Sequence, residues 1–118
     1  MLSKEGNTHI QLAVPEEFMT RVHIFAINPG LVDQIVKEAI KAFPKIGMEV
    51  DRNTTIDNGK FGKEVQLHKM SGMDRHVGLW IFAFLQTNGW EVQQAVAVME
   101  GRHIVYHMKA NEVGIQNK

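Results

Sequence analysis

The chain has 118 residues, of which 44% are hydrophobic and 22% charged, and it contains no cysteine. Thirteen basic residues balance thirteen acidic ones, which argues against a protein that mainly binds nucleic acid or a membrane surface. The lack of cysteine excludes disulfides and thiolate metal centres. We expect one domain over residues 1–118, with frayed tails at 1–7 and 110–118. No apolar run reaches the ~18 residues of a membrane span and the start is unlike a signal peptide, so we expect a cytoplasmic protein.

Two strands are predicted before the first helix. Residues His9–Val14 alternate between apolar and polar side chains, which indicates a half-buried strand. Residues 20–27 are rich in β-branched and aromatic types, which favours a second strand. A helix over residues 15–27 remains the alternative, because some of its apolar residues also fall at helical spacing: Phe18, Val22, Phe25 and Ala26.

The first helix is predicted over Leu31–Phe43. Its apolar residues recur every three or four positions and form one face. Asn28 can cap its start, Pro29 fits the first turn, and Pro44 ends it.

Residues Met48–Met70 predict a long hairpin. Asn58 and Gly59 suit a type I′ turn, because both central positions of that turn need a positive φ. A two-residue turn there places Ile56 opposite Phe61. Arg52, Lys60 and Lys63 near the tip are offset by acidic neighbours, so the arm is not a basic nucleic-acid reader.

A second helix is predicted from about Gly72 to Asn88. Ser71 and Asp74 match a capping box with Asp in place of the usual Glu. Gly89 supplies the left-handed residue that ends the helix.

Two further strands, Val92–Met99 and His103–Met108, complete the chain. Residues 20–99 then run βαββαβ, which is the order of a ferredoxin-like unit. We therefore expect an α+β fold in which an antiparallel sheet carries two helices on one face, with extra strands at the N-terminal and C-terminal ends.

Residues 63–109 resemble a family of small bacterial domains of unknown function. The shared feature is a helix that closes with Leu-x-x-x-Gly-Trp-Glu, here Leu85 to Glu91, followed by a hairpin whose last strand ends near a basic residue. The resemblance implies a compact α+β module and transfers no catalytic residue.

The second helix is more apolar than one buried face requires. Residues 77–85 contain no polar side chain, and Leu79 and Phe82 fall outside the expected inward stripe, three positions apart. We expect these two residues to form a homodimer interface across a two-fold axis. Cover by the additional strands, or use as a ligand groove, are the alternatives.

Strand alternation places several histidines on the sheet face away from the helices. Spaced four residues apart on one strand, His103 and His107 lie ~13 Å apart and cannot share an ion, and the pattern of a zinc protease is absent. We therefore expect no metal and no cofactor, with a cross-strand site of His23 and His68 as the alternative. The candidate binding residues are His23, Phe25, His68, Trp80, His103 and His107.

The sequence contains neither a nucleotide-binding loop nor a serine nucleophile motif. Together these features predict a small, non-catalytic, homodimeric binding or regulatory module. The alternative is a dimeric ferredoxin-like protein that binds a small apolar molecule, or a cofactor-independent enzyme. In that alternative the pocket lies between the sheet and the helices, and His23, His68 or Trp80 acts there.

Overall fold

A computed structural model describes residues 9–16, 21–56, 59–68, 73–98 and 102–110. In chain order the described elements are β1 (His9–Pro15), β2 (Val22–Ala26), α1 (Pro29–Ala42), β3 (Gly47–Ile56), β4 (Lys60–His68), α2 (Asp74–Thr87), β5 (Trp90–Val98) and β6 (His103–Ala110). The predicted α+β class is confirmed. The predicted tail at 110–118 starts one residue too early, because Ala110 is the buried last residue of β6; residues 1–7 and 111–118 lie outside the described residues.

The strands form one antiparallel sheet in the order β3-β4-β2-β1-β6-β5. The ferredoxin-like arrangement is wrong, because it would place β5 directly beside β2. Instead β1 and β6 lie between them. The extra N-terminal and C-terminal strands, β1 and β6, therefore lie inside the sheet and separate β2 from β5.

Local connections explain this order. Only a short segment separates β1 from β2, and sequential strands joined by a short connection usually pair as neighbours. Ile10 pairs with Ala26 and Ala13 with His23, so β1 occupies the edge of β2 that a ferredoxin-like fold leaves for β5. β6 then pairs along β1, and β5 follows its hairpin partner to the outer edge.

The strand prediction for β2 and the helix prediction for α1 are confirmed. Residues 22–26 are extended, which decides against the helical alternative there, while residues 17–20 lie outside the described part. Asn28 caps α1, and its Oδ1 accepts a hydrogen bond from the backbone N–H of Gly30 at 2.9 Å. Pro29 is the first helical residue, where its missing N–H costs nothing.

The β3–β4 hairpin is present, but its register differs from the prediction by one residue. Ile56 pairs with Lys60, and Thr55 pairs with Phe61. Three residues therefore separate the paired ends, where the two-residue turn was expected. Gly59 has a φ of 79°, the left-handed conformation that closes three-residue hairpin loops.

α2 begins later than predicted. Asp74 is its first residue and Met73 its N-cap, so Asp74 cannot take the third position of a capping box; Ser71 lies outside the described residues. The carboxylate of Asp74 instead contacts His68 at the end of β4. At the other end Gly89 has a φ of 93° and ends the helix as expected.

The core lies between one face of the sheet and the two helices. β1 contributes Ile10, Leu12 and Val14, and all three are fully buried. α2 approaches β1 closely, since a Cβ added at Gly78 would lie 2.9 Å from Val14 Cγ1. This face is closed by helices, so any open site of the described sheet lies on its other face.

The two apolar residues of α2 that lie outside the predicted inward stripe, Leu79 and Phe82, are covered only in part. Phe82 packs against Tyr106 of β6 with ring centroids 4.4 Å apart, while Leu79 remains 41% exposed. The last hairpin thus covers Phe82, as one of the alternatives anticipated. Over the described residues, neither helix has the length and apolarity to cross a bilayer.

Candidate functional site

Pairing registers bring side chains of five strands together on the open face of the sheet. Ala13 of β1 pairs with His23 of β2 on one side and with Val105 of β6 on the other. Because the methyl group of Ala13 is short, side chains of β2 and β6 can meet above it. Glu64 enters from β4 beside Phe25, and Val98 enters from β5 opposite His103.

This convergence leaves a cavity of about 160 Å³ on the open face. Its polar lining consists of Gln11, His23, Glu64 and His103. Its apolar lining consists of Ala13, Phe25, Val98 and Val105. A small concave site with a few converging polar groups on an apolar wall has the composition typical of ligand pockets.

His103 is the most buried polar group of the cavity, with 2% of its surface exposed. Its Nε2 lies 2.8 Å from the backbone carbonyl oxygen of Arg21. A carbonyl only accepts, so Nε2 carries the hydrogen and donates it to this oxygen. The Nδ1 of His103 is buried and has no hydrogen-bond partner. Buried polar atoms without partners are rare, because each forfeits the hydrogen bond it made with water.

His23 lies beside His103, with ring centroids 5.0 Å apart in an edge-to-face arrangement. Its Nδ1 is 3.5 Å from Glu64 Oε2. Burial lowers the pKa of His23 below 6.5, and the neighbouring His103 and Arg21 lower it further, against an opposing effect of Glu64. His23 is therefore neutral near pH 7, with Nδ1–H toward the carboxylate and a lone pair on Nε2.

The charge of Glu64 is already compensated. Arg52 reaches Glu64 Oε1 through Nε at 3.0 Å and through a terminal nitrogen at 2.9 Å. The amide of Gln66 donates to Glu64 Oε2 at 3.2 Å. The cavity therefore combines two imidazoles with a carboxylate that Arg52 already pairs.

The structure brings together three of the six predicted binding residues, namely His23, Phe25 and His103. His107 lies on the same face but in register with Gln11 and Gln94, beyond the cavity lining. The other two are elsewhere. His68 contacts Asp74 through Nδ1 at 2.5 Å.

Trp80 belongs to the helix layer. Its ring stacks on Phe84 at 5.2 Å and meets the edge of Phe43 at 6.0 Å. These aromatic contacts fix the packing of α1 and α2 and leave Trp80 on the opposite side of the sheet from His23. The three residues assigned to the alternative pocket therefore lie in three separate places.

Sequence reasoning missed Glu64, the carboxylate that contacts His23. Its charge is one of the acidic neighbours that offset the basic residues of the hairpin arm. The alternation that places Gln66 and His68 on the open face extends to Glu64 and could have identified it. Gln11, Ala13 and Val98 could not be found that way, because their proximity depends on the insertion of β1 and β6 into the sheet.

No group of three or more metal-ligating side chains occurs within the part of the chain that the structure describes. Comparisons with protein-family models, with curated proteins and with solved structures find no match for this chain. The resemblance of residues 63–109 to small bacterial domains accordingly stays a prediction, and the site stands on its own geometry.

Proposed function

We propose that this protein is a small binding module whose ligand occupies the open-face cavity between His23 and His103. One observation carries the proposal: side chains of five strands converge on a single open-face cavity that combines polar groups with an apolar wall. His23 and Glu64 keep 31% and 14% of their side-chain surface exposed, so they are the polar groups that a bound molecule can contact. The pocket is proposed on the open face, and not between the sheet and the helices, where the buried core lies.

The apolar lining supports the same proposal. Phe25, Val98 and Val105 surround the polar groups on the face that no helix covers. A ligand that shields these side chains gains about 25 cal/mol for each Å² of apolar surface removed from water. Apolar contact supplies affinity in such a site, and the histidines supply orientation.

Thermal-shift screening against small metabolites tests the proposal. A compound at one hundred times its Kd stabilises the folded state by about 2.7 kcal/mol, which raises Tm by on the order of 10 °C for a domain of this size. Ala13→Leu should abolish the shift by filling the cavity. Ala42→Leu, at an exposed position near the end of α1, is the matched control and should keep it. A shift that survives Ala13→Leu places the ligand elsewhere.

We also propose that the module is a homodimer that associates through α2. The supporting observation is that Leu79 is exposed beside Ala83, on the helix whose Phe82 packs on Tyr106. Ala95, the β5 partner of Tyr106, extends this apolar surface to the sheet edge and is itself exposed. Contiguous exposed apolar surface is typical of association sites.

Leu79→Glu tests the dimer, because Leu79 is not needed for the fold, whereas Phe82 packs inside the chain. Light scattering should give a mass near twice 13.4 kDa for the natural chain and about 13.4 kDa for the variant. Gln86→Glu adds the same charge two turns further along α2 at an exposed polar position and should leave the dimer intact. A natural chain that stays monomeric at millimolar concentration contradicts the dimer.

A cofactor-independent enzyme is the second candidate at the same cavity. The observation in its favour is the Glu64–His23 contact, since a carboxylate beside an imidazole orients it for proton transfer. Time-resolved NMR of a bound compound separates the two functions. A binding module leaves the compound unchanged, whereas an enzyme converts it at a rate that His23→Phe abolishes.

A further inference from the structure

β5 lies at one outer edge of the sheet, and no described strand pairs with its second side. A β-bulge between Val92 and Gln94 interrupts its ladder with β6, so the regular part of this edge runs from residue 94 to residue 98. Residues 92–98 contain no charged side chain and no proline. An edge of this kind is a template on which another strand can pair.

The hydrogen bonds of β6 show which backbone groups of β5 face outward. The N–H of Glu16 donates to the carbonyl of Arg102 at 2.7 Å, one step beyond the pairing of Pro15 with His103. Arg102 therefore directs its backbone groups toward β1. Because these directions alternate along a strand, His103 and Val105 direct theirs toward β5.

Ala95 and Ala97 present their backbone hydrogen-bonding groups at the free edge. Val96 and Val98 are the partners of the two β6 residues that face β5, so their own backbone groups are used within the sheet. The N–H and C=O of the alternating residues, Ala95 and Ala97, point away from β6. Both alanines are exposed, and their methyl groups are too small to obstruct an approaching strand.

The two alanines lie on the same side of the sheet as α2. Ala95 pairs with Tyr106, whose ring packs on Phe82 at 4.4 Å, and Leu79, one turn earlier on α2, is 41% exposed. A second copy of the chain offers the same two elements, namely a neutral edge strand and an exposed leucine on the same side of the sheet. One association can therefore cover both.

The opposite edge of the sheet carries the charges that β5 lacks. β3 contains Glu49, Asp51 and Arg52, and the last two form ion pairs with Lys63 and Glu64. Charged side chains on an edge strand oppose pairing with another chain. Association is therefore directed to β5, and a two-fold axis at that edge closes the assembly as a dimer.

We propose that two copies of this protein pair their β5 strands antiparallel across a two-fold axis, so that Ala95 and Ala97 form backbone hydrogen bonds between the chains and the two sheets become continuous. The inference rests on the homodimer of the proposed function and adds its geometry. Pairing is antiparallel because a two-fold axis perpendicular to the sheet reverses the strand direction. The two Leu79 side chains then lie on the same side of the joined sheet.

Amide hydrogen exchange followed by ¹H–¹⁵N NMR measures the pairing directly. In the natural chain, the N–H groups of Ala95 and Ala97 should exchange at least tenfold more slowly than in Leu79→Glu, the variant expected to be monomeric. The N–H groups of Val96 and Val98 bond β6 in either state and provide the internal reference.

Ala97→Pro removes one outward N–H and leaves the ladder with β6 intact, and an edge strand tolerates proline at such a position. Ala97→Thr keeps the N–H and favours a strand, so it is the matched control. Light scattering should give a mass near 13.4 kDa for Ala97→Pro and near twice that mass for Ala97→Thr. Ala95→Lys adds a charge to the edge without changing the backbone, and it keeps the test valid if Ala97→Pro fails to fold.

The outcomes separate the inference from the proposed function. If Ala97→Pro and Ala95→Lys stay dimeric while Leu79→Glu dissociates, the dimer exists but does not use the β5 edge. Equally slow exchange of Ala95 and Ala97 in the Leu79→Glu monomer also overturns the inference, because the same chain then covers its own edge. A natural chain that stays monomeric at millimolar concentration removes the proposed dimer and the inference together, and leaves the edge to an extended peptide of another protein.

Discussion

The contact between His68 and Asp74 should be a major contributor to the stability of this fold. His68 Nδ1 lies 2.5 Å from Asp74 Oδ2, and the Asp74 side chain is only 3% exposed, against 28% for His68. This contact connects the end of β4 to the first residue of α2, the helix that covers β1. We expect a double-mutant cycle of His68→Ala and Asp74→Ala to give a coupling energy of about 1.5–3 kcal/mol.

The two single variants should differ for reasons visible in the structure. Asp74→Ala loses the contact and also the favourable interaction of a first-turn carboxylate with the helix dipole, worth ~0.3–1 kcal/mol. We expect this variant to lose about 2–4 kcal/mol. His68→Ala retains the dipole interaction but leaves a buried carboxylate without its imidazole partner. Against a total stability of ~5–15 kcal/mol, either loss is large.

Urea unfolding followed by tryptophan fluorescence measures all four proteins of the cycle. With an m-value of ~1–3 kcal/mol/M, losses of this size shift the midpoint by about 1–2 M. Glu16 and Arg75 form a neighbouring exposed pair at 4.0 Å, and the same cycle there should give less than ~0.5 kcal/mol. Equal coupling energies for the two pairs would refute the argument that burial makes the His68–Asp74 contact strong.

Three further expectations concern other positions. Gly62→Ala should lower the free energy of unfolding measured in urea by ~1–3 kcal/mol, because its Cβ would lie 2.3 Å from the backbone oxygen of Ala26. Gly47→Ala, with no atom nearer than 3.7 Å, should change it by no more than ~0.5 kcal/mol. Equal losses of stability for the two variants would contradict the close approach at Gly62. Burial lowers the pKa of His23 below 6.5, so this imidazole binds a proton more readily in the unfolded chain than in the folded one. The free energy of unfolding should therefore fall as pH drops below 6.5. His23→Phe should reduce this pH dependence of stability between about pH 7.5 and 5. The Lys63 ammonium lies 2.7 and 3.0 Å from carboxylates of α1 and β3, and these bonds raise its pKa above 10.5. Lys63→Met should lower the free energy of unfolding by ~1 kcal/mol at neutral pH. The stability difference between the natural chain and the variant should disappear as pH rises through the raised pKa.

Local patterns predicted the elements and faces of this protein well. Alternation placed His23 and His103 on the sheet face away from the helices, and the cap at Asn28 and the stop at Gly89 lie where the sequence indicates. These features depend on backbone geometry within a few residues. They are therefore readable from a single chain.

Sheet order was not readable in the same way. The βαββαβ order of residues 20–99 is compatible with several sheets, and the pairing of β1 with β6 depends on contacts between the two ends of the described chain. That pairing brings Ala13 between His23 and Val105 and so creates the cavity. The two histidines could be assigned to a face, but their 5.0 Å approach could not be derived.

The excess of apolar residues in α2 shows a third limit of prediction from the sequence. Counting apolar residues indicated that Leu79 and Phe82 both lie outside the buried stripe, but it could not assign a cover to each. Tyr106 shields Phe82 because β6 lies beside β1 under the helix, whereas Leu79 has 41% of its surface exposed. An apolar excess in one helix thus indicates that cover is needed, while the topology decides where it comes from.

The interior position of β1 and β6 in the sheet has a consequence for biosynthesis. His9 pairs with Lys109, 100 positions later, so β1 is synthesised long before β6, the strand that pairs with it there. Until then one hydrogen-bonding edge of β1 lacks its partner, and such unpaired edges promote aggregation. The sheet is complete only after β6 has been synthesised, and a nascent chain stalled before β6 should be a substrate for chaperones.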